Sequence, residues 1–305
     1  MKRTLRFLVL CFFPLLIIPR LNAVDLELSG GLGNLSFDTD RKSTLGSEDK
    51  AFDHVLFPLI SAAISGEAGS SVYYRGGYER DPILRNRLFA SLGLRSNNVS
   101  LEAGPFLGIY NTGKLELNPG FTAALGLQFP GILFVNLEAS SSIGNILETP
   151  GAYSQKTSLL SAGFWVPHVI CSLNLNSRSF TLEKNTNLLE EDSLDRYFFR
   201  ADVYTKNVPY TIQVDMGYEI LKRSYVSQNI TGTNFDDLVL NRDLEDDTFK
   251  AFFLGLQMNY TINPVIKLVL GGEMPVYYWS AQPMKTPGKG TFLFQARAGI
   301  ILTLP

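Results

Sequence analysis

The chain has 305 residues, a formal net charge of −2, 45 % hydrophobic residues and 12 % aromatic residues. The near-neutral charge excludes the strongly basic surface expected of a nucleic-acid binder. The length allows one large domain or two small ones, and 26 glycines with so many aromatics suit strands and turns better than helices.

Residues 1–23 read as a secretory signal. Lys2, Arg3 and Arg6 precede the apolar stretch Phe7 to Ile18, and "LNA" ends at Ala23 as a cleavage site. Cys171 is then the one cysteine of the mature chain, which excludes an internal disulfide framework. No later run approaches the ~18 consecutive apolar residues of a membrane helix. A membrane-embedded form of residues 24–305 would have to cross as strands.

From Val24 onward the pattern alternates with the period of a strand. Apolar residues share one parity in Val24, Leu26 and Leu28; in Leu88, Leu92 and Leu94; in Leu101, Leu107 and Ile109; in Phe121, Leu125 and Phe129. The same holds for Tyr197, Phe199 and Val203; for Tyr210 to Ile220; for Phe252 to Tyr260; and for Phe292 to Leu302. Fourteen strands are predicted, at 24–36, 56–66, 70–79, 84–96, 99–110, 116–129, 132–143, 156–166, 169–182, 197–206, 210–222, 249–262, 265–278 and 291–303. If the weakly patterned region 56–80 is one irregular segment, the count falls to 12. Short Gly, Pro and Asn turns near Glu67–Gly69, Asn97–Asn98, Pro130–Gly131, Pro167–His168, Asn207–Pro209 and Asn263–Pro264 alternate with longer polar segments at 38–54, 111–116, 144–156, 184–196, 224–248 and 279–290. This is an up-and-down meander with short turns at one end and long loops at the other.

The apolar face is continuous and nearly free of charge. Lys222 and Lys250 fall on it only at strand ends, where a lysine reaches water or headgroups. Aromatics gather at the ends of the same face. Phe129, Tyr210 and Tyr260 lie beside short turns, and Tyr197, Phe249, Tyr278 and Phe292 beside long loops, as in the interface girdles of a membrane barrel. The expected fold is an all-β, closed, up-and-down antiparallel transmembrane β-barrel with short periplasmic turns and long external loops. On this pattern the chain resembles the 14-stranded monomeric porin type of bacterial outer-membrane barrel. The resemblance covers the mature chain and is one of architecture. Strand one begins at Val24, leaving no room for the hatch of the fatty-acid channels, and the chain ends in Pro305 where such barrels usually end in an aromatic residue.

The resemblance implies an outer-membrane location and a channel for passive diffusion of small polar solutes, with lipid and solute as partners and no cofactor. The residues expected to line the lumen are Arg85, Arg87, Glu102, Arg200, Asp202, Asp215, Glu219, Lys267 and Arg297, with Asp25, Glu27, Arg95, Glu138, Arg178 and Glu273 also facing inward. Arg85, Arg87 and Arg200 opposite Asp215 and Glu219 would set up a transverse field at a constriction. The alternative is a plugged barrel that serves as a surface structure or adhesin, binding an external ligand through its loops. A more distant one is a hydrolase built on His54, which follows Asp53 near a long loop. The acids of the 224–248 segment, Asp236, Asp237, Asp243, Glu245, Asp246 and Asp247, read as a solvated loop, a lid or a divalent-cation site.

Overall fold

The computed structural model describes residues 24–34, 56–111, 115–146, 153–184, 188–204, 208–231, 239–279 and 293–304. They form fourteen antiparallel strands: β1 (Val24–Gly33), β2 (Phe57–Glu67), β3 (Val72–Asp81), β4 (Arg85–Arg95), β5 (Val99–Asn111), β6 (Leu115–Phe129), β7 (Leu133–Ser142), β8 (Tyr153–Val166), β9 (Val169–Lys184), β10 (Leu188–Tyr204), β11 (Tyr210–Thr231), β12 (Val239–Thr261), β13 (Ile266–Trp279) and β14 (Gln295–Leu304). A single helical turn, α1 (Ile143–Ile146), follows β7. Each strand pairs with its neighbours in sequence, and β1 pairs with both β2 and β14, so the sheet is a closed barrel. Fourteen strands are present and the region 56–80 supplies two of them, which removes the count of 12. Closure satisfies the edge hydrogen-bonding groups that an open sheet would leave unpaired.

The alternation dictates the two faces. Large apolar side chains of one parity point outward on strand after strand, with Leu94 60 % and Leu173 67 % exposed. Phe129, Tyr197, Tyr210 and Tyr260 are exposed on this outer face. The tight turns follow from local chemistry. After Pro130, Gly131 takes a positive φ of 76° and the Ile132 amide donates to the Phe129 carbonyl at 2.9 Å. After Pro167, His168 holds φ 68° in the corresponding place.

Several expectations are corrected. The segments 184–196 and 224–248 are largely strand. β10 begins at Leu188, and β11 and β12 remain paired as far as Thr231 and Val239. Asp243, Glu245, Asp246 and Asp247 therefore lie on a β ladder and not in a loop, while Asp236 and Asp237 fall outside the described residues. Phe249 is buried on the inner face as the partner of Leu221. Tyr278 pairs with Ala251, an inner position, because the β12–β13 register shifts between Phe252 and Phe253; Tyr277 is the exposed aromatic there. Phe292, His54 and the signal segment 1–23 lie outside the described residues.

Candidate functional site: the barrel lumen

The inner face carries charge, and the strand register sorts it into layers. On β11 the inward residues run Asp215, Glu219 and Leu221 toward the long-hairpin end. Their partners on β10 are Arg200, Arg196 and Leu194.

The layer nearest the long hairpins is apolar. Ile83, Tyr153, Phe180, Leu194, Leu221, Phe249, Ala251 and Leu293 form one buried cluster, with Tyr110 packed against it. Phe180 is the hub. Its ring centroid lies 5.2 Å from those of Tyr110 and Tyr153, and the Arg85 guanidinium sits 5.3 Å above it. Ile83 comes from the three-residue connection between β3 and β4. That turn dips into the lumen because its polar groups are answered there. Asp81 Oδ1 accepts from the Ile83 and Leu84 amides at 2.8 and 2.9 Å. Arg85, at φ 65°, donates to the Pro82 carbonyl and reaches Asp192 on β10 at 2.9 Å. Tyr153 and Gln155 on β8 donate to the Leu84 carbonyl. The turn is thus held from the far wall as well as from its own strands.

Below the cluster lie ion pairs. Arg196 binds Glu219 at 2.9 Å and, with both terminal nitrogens, Glu273 of β13 at 2.9 and 2.7 Å. Arg178 pairs with Asp81 across the barrel. Arg200 grips Asp215 at 2.8 and 2.9 Å. Arg87 pairs with Glu79 at 2.7 Å and donates to Ser140. Of the transverse field expected between Arg85, Arg87 and Arg200 and the acids Asp215 and Glu219, only Arg200–Asp215 is a contact. The others are neutralised by partners the pattern did not single out: Asp192, Glu79 and Arg196. Arg196 was legible, since Leu194, Arg196, Phe198 and Arg200 continue one parity, but it falls in a segment read as loop.

Two polar cavities remain between these bridges. One of about 360 Å³ is bordered by Glu27, Arg75, Arg200, Asp215, Glu273 and Arg297. The other, about 220 Å³, is bordered by Arg87, Ser91, Glu102, Glu138 and Arg178. Glu102 accepts from Ser91, Arg297 donates to Gln257 at 2.8 Å, and Asp25 accepts from Thr303 at 2.6 Å near the short-turn end. Asp202 pairs in register with Gln213, one inward step beyond Arg200. Lys267 is an exposed partner of Ile301, and Arg95 meets Glu67 at 3.4 Å beside a short turn. His168 sits in its turn with its ring edge-on to Tyr204. Among the described residues no group of three or more His, Cys, Asp or Glu side chains is placed to hold a metal ion.

No family model matches the chain, and no curated protein matches it. Solved structures are similar to it in outline. A bacterial polysaccharide outer membrane secretin is 10 % identical with a TM-score of 0.44, covering 92 % of this chain and 98 % of its own. A porin refined at 1.8 Å is 9 % identical with a TM-score of 0.42, covering 93 % and 100 %. The COG4313 outer membrane channel from Pseudomonas putida F1 is 7 % identical with a TM-score of 0.41, covering 93 % and 95 %.

Proposed function

We propose that the chain is an outer-membrane channel for small polar solutes, held closed in this conformation by the apolar layer at its long-hairpin end. The observation that carries the reading is the inverted distribution of polarity. The outer face is apolar around a closed wall, while charges and polar cavities lie inside. A soluble barrel would place its charges outward. Barrels of ~8 strands are filled by side chains and those of ~16–18 hold open water channels. A 14-stranded wall with a partly filled lumen falls between the two. The short turns then face the periplasm, the long hairpins face outward, and maturation by cleavage after Ala23 starts the chain at Val24, which N-terminal sequencing of the native protein checks.

Two measurements test the membrane and channel parts separately. Leu137→Arg puts a charge in the middle of the outer apolar face. It is expected to lower folding stability in phospholipid bilayers by ~2–4 kcal/mol, read by urea titration; an unchanged midpoint would remove that face from hydrocarbon. In planar bilayers the native barrel is expected to give rare, discrete openings. Arg75 and Arg297 border the larger cavity and have no ion-pair partner among the described residues. Those openings therefore favour anions, and Arg75→Gln with Arg297→Gln shifts the reversal potential in a salt gradient toward cations. A reversal potential that ignores both changes would place the conducting path elsewhere.

A further inference from the structure

A closed barrel is convex outside, so a large hollow on its outer wall needs relief in the side chains. One of about 960 Å³ is present. It runs across the strands between two adjacent rows of register partners. One row is large, climbing from Leu94 through Leu137 to Leu175. The next is small, with Ala123, Ala139 and Ser158. The small row ends at Ser177 and Asp195, which are bonded to each other at 2.6 Å.

The same wall carries cations just beyond this end. Lys156 precedes Ser158 by two residues on the same face of β8, about 7 Å along the strand. Its row continues through Ser179 and Ser193 to Lys222. Lys250 lies one row nearer, opposite Ile220. None of the three lysines has an ion-pair partner among the described residues.

We propose that the hollow seats the acyl chains of an anionic, phosphate-bearing lipid whose headgroup meets Lys156 and Lys222. The inference rests on the membrane reading above. The volume lies within the ~300–1,000 Å³ usual for a small-molecule site, and flexible chains conform to an irregular furrow. Lys156, Lys222 and Lys250 supply positive charge at the level where the apolar row ends; of the two acids on the same face of β10, Asp195 accepts from Ser177 and Glu191 lies one row farther from the hollow. A second copy docked by two-fold symmetry presents the same patch to itself. That would bring the lysine rims of both copies together at one interface, which like charges oppose.

The test is native mass spectrometry of the folded, detergent-purified barrel titrated with phosphatidylglycerol or phosphatidylcholine of equal chain length. The native barrel is expected to retain one or two phosphatidylglycerols at activation energies that strip phosphatidylcholine. Lys156→Gln with Lys222→Gln, which leaves the hollow intact, is expected to lower that preference by roughly fivefold per lysine. Ala139→Phe, which fills the hollow, is expected to lower retention of both lipids. Equal retention of the two lipids by the native barrel overturns the proposal, as does a preference unmoved by the lysine changes, or a dimer in place of lipid adducts. Heat-modifiable mobility is scored on the same samples. A barrel that folds and inserts without lipid preference refutes the lipid site alone, whereas one that fails to insert refutes the membrane reading.

Discussion

Replacing Ile83 and Phe180 by alanine is expected to turn a barrel that opens rarely into one that conducts most of the time. Both side chains are fully buried in the apolar layer, Ile83 on the in-folded turn and Phe180 on the wall it meets. Truncating a well-packed Ile or Phe costs ~2–5 kcal/mol in a protein interior. If about 3 kcal/mol of that is specific to the closed arrangement, open probability rises about a hundredfold, at 1.4 kcal/mol per factor of ten. Single-channel recording measures it. The turn also depends on polar anchors, so Arg85→Ala, which releases Asp192 and the Pro82 carbonyl, should raise opening more modestly. A native barrel that is continuously open sinks the plug. A trimmed barrel that folds yet never conducts sinks the channel and leaves the plugged surface protein as the surviving reading.

The largest loss of stability is expected at Arg196. It is the shared partner of Glu219, which is fully buried, and of Glu273. Arg196→Met leaves two inward carboxylates without their cation, and removing one member of a buried pair costs ~3–5 kcal/mol. The temperature at which the folded band is lost on a gel should fall clearly. Arg196→Lys should recover little, because a single ammonium cannot reproduce the two-pronged grip on Glu273 together with the contact to Glu219. The instructive control is the triple change Arg196→Met, Glu219→Gln and Glu273→Gln. Once the charges are removed together, most of the loss should return. A triple variant as unstable as the single one would assign the effect to packing against Phe253, over whose ring Arg196 lies at 4.9 Å.

The alternation of apolar residues was enough to read a closed 14-stranded barrel and to place most strands, because a wall that is greasy on one side and wet on the other must show period two. Where both sides of a strand are polar that signal vanishes. The tops of β10, β11 and β12 therefore looked like loops, and Arg196 was overlooked with them. The plug was hidden for the opposite reason. Leu194, Leu221 and Phe249 are apolar residues on the inner parity, and a rule that equates apolar with outward cannot see them. Tyr278 fell to a single-residue register shift in β13. Ion-pair partners on distant strands, such as Arg85 with Asp192 or Arg178 with Asp81, depend on how the barrel folds across its own lumen, which no local pattern encodes.

The ladder of β11 and β12 continues from Lys222 to Thr231 on one side and back from Val239 on the other. At ~3.4 Å per residue that is a stave rising about 30 Å beyond the lysine rim. In the proposed orientation it is what an antibody, a phage or a neighbouring cell would touch first. The in-folded turn proposed to close the lumen lies on the opposite arc, between β3 and β4. What the outside world recognises and what the barrel lets through are then carried by different arcs of the wall. Mutations that disguise the surface need not alter permeability, and a surface ligand can bind without blocking the pore.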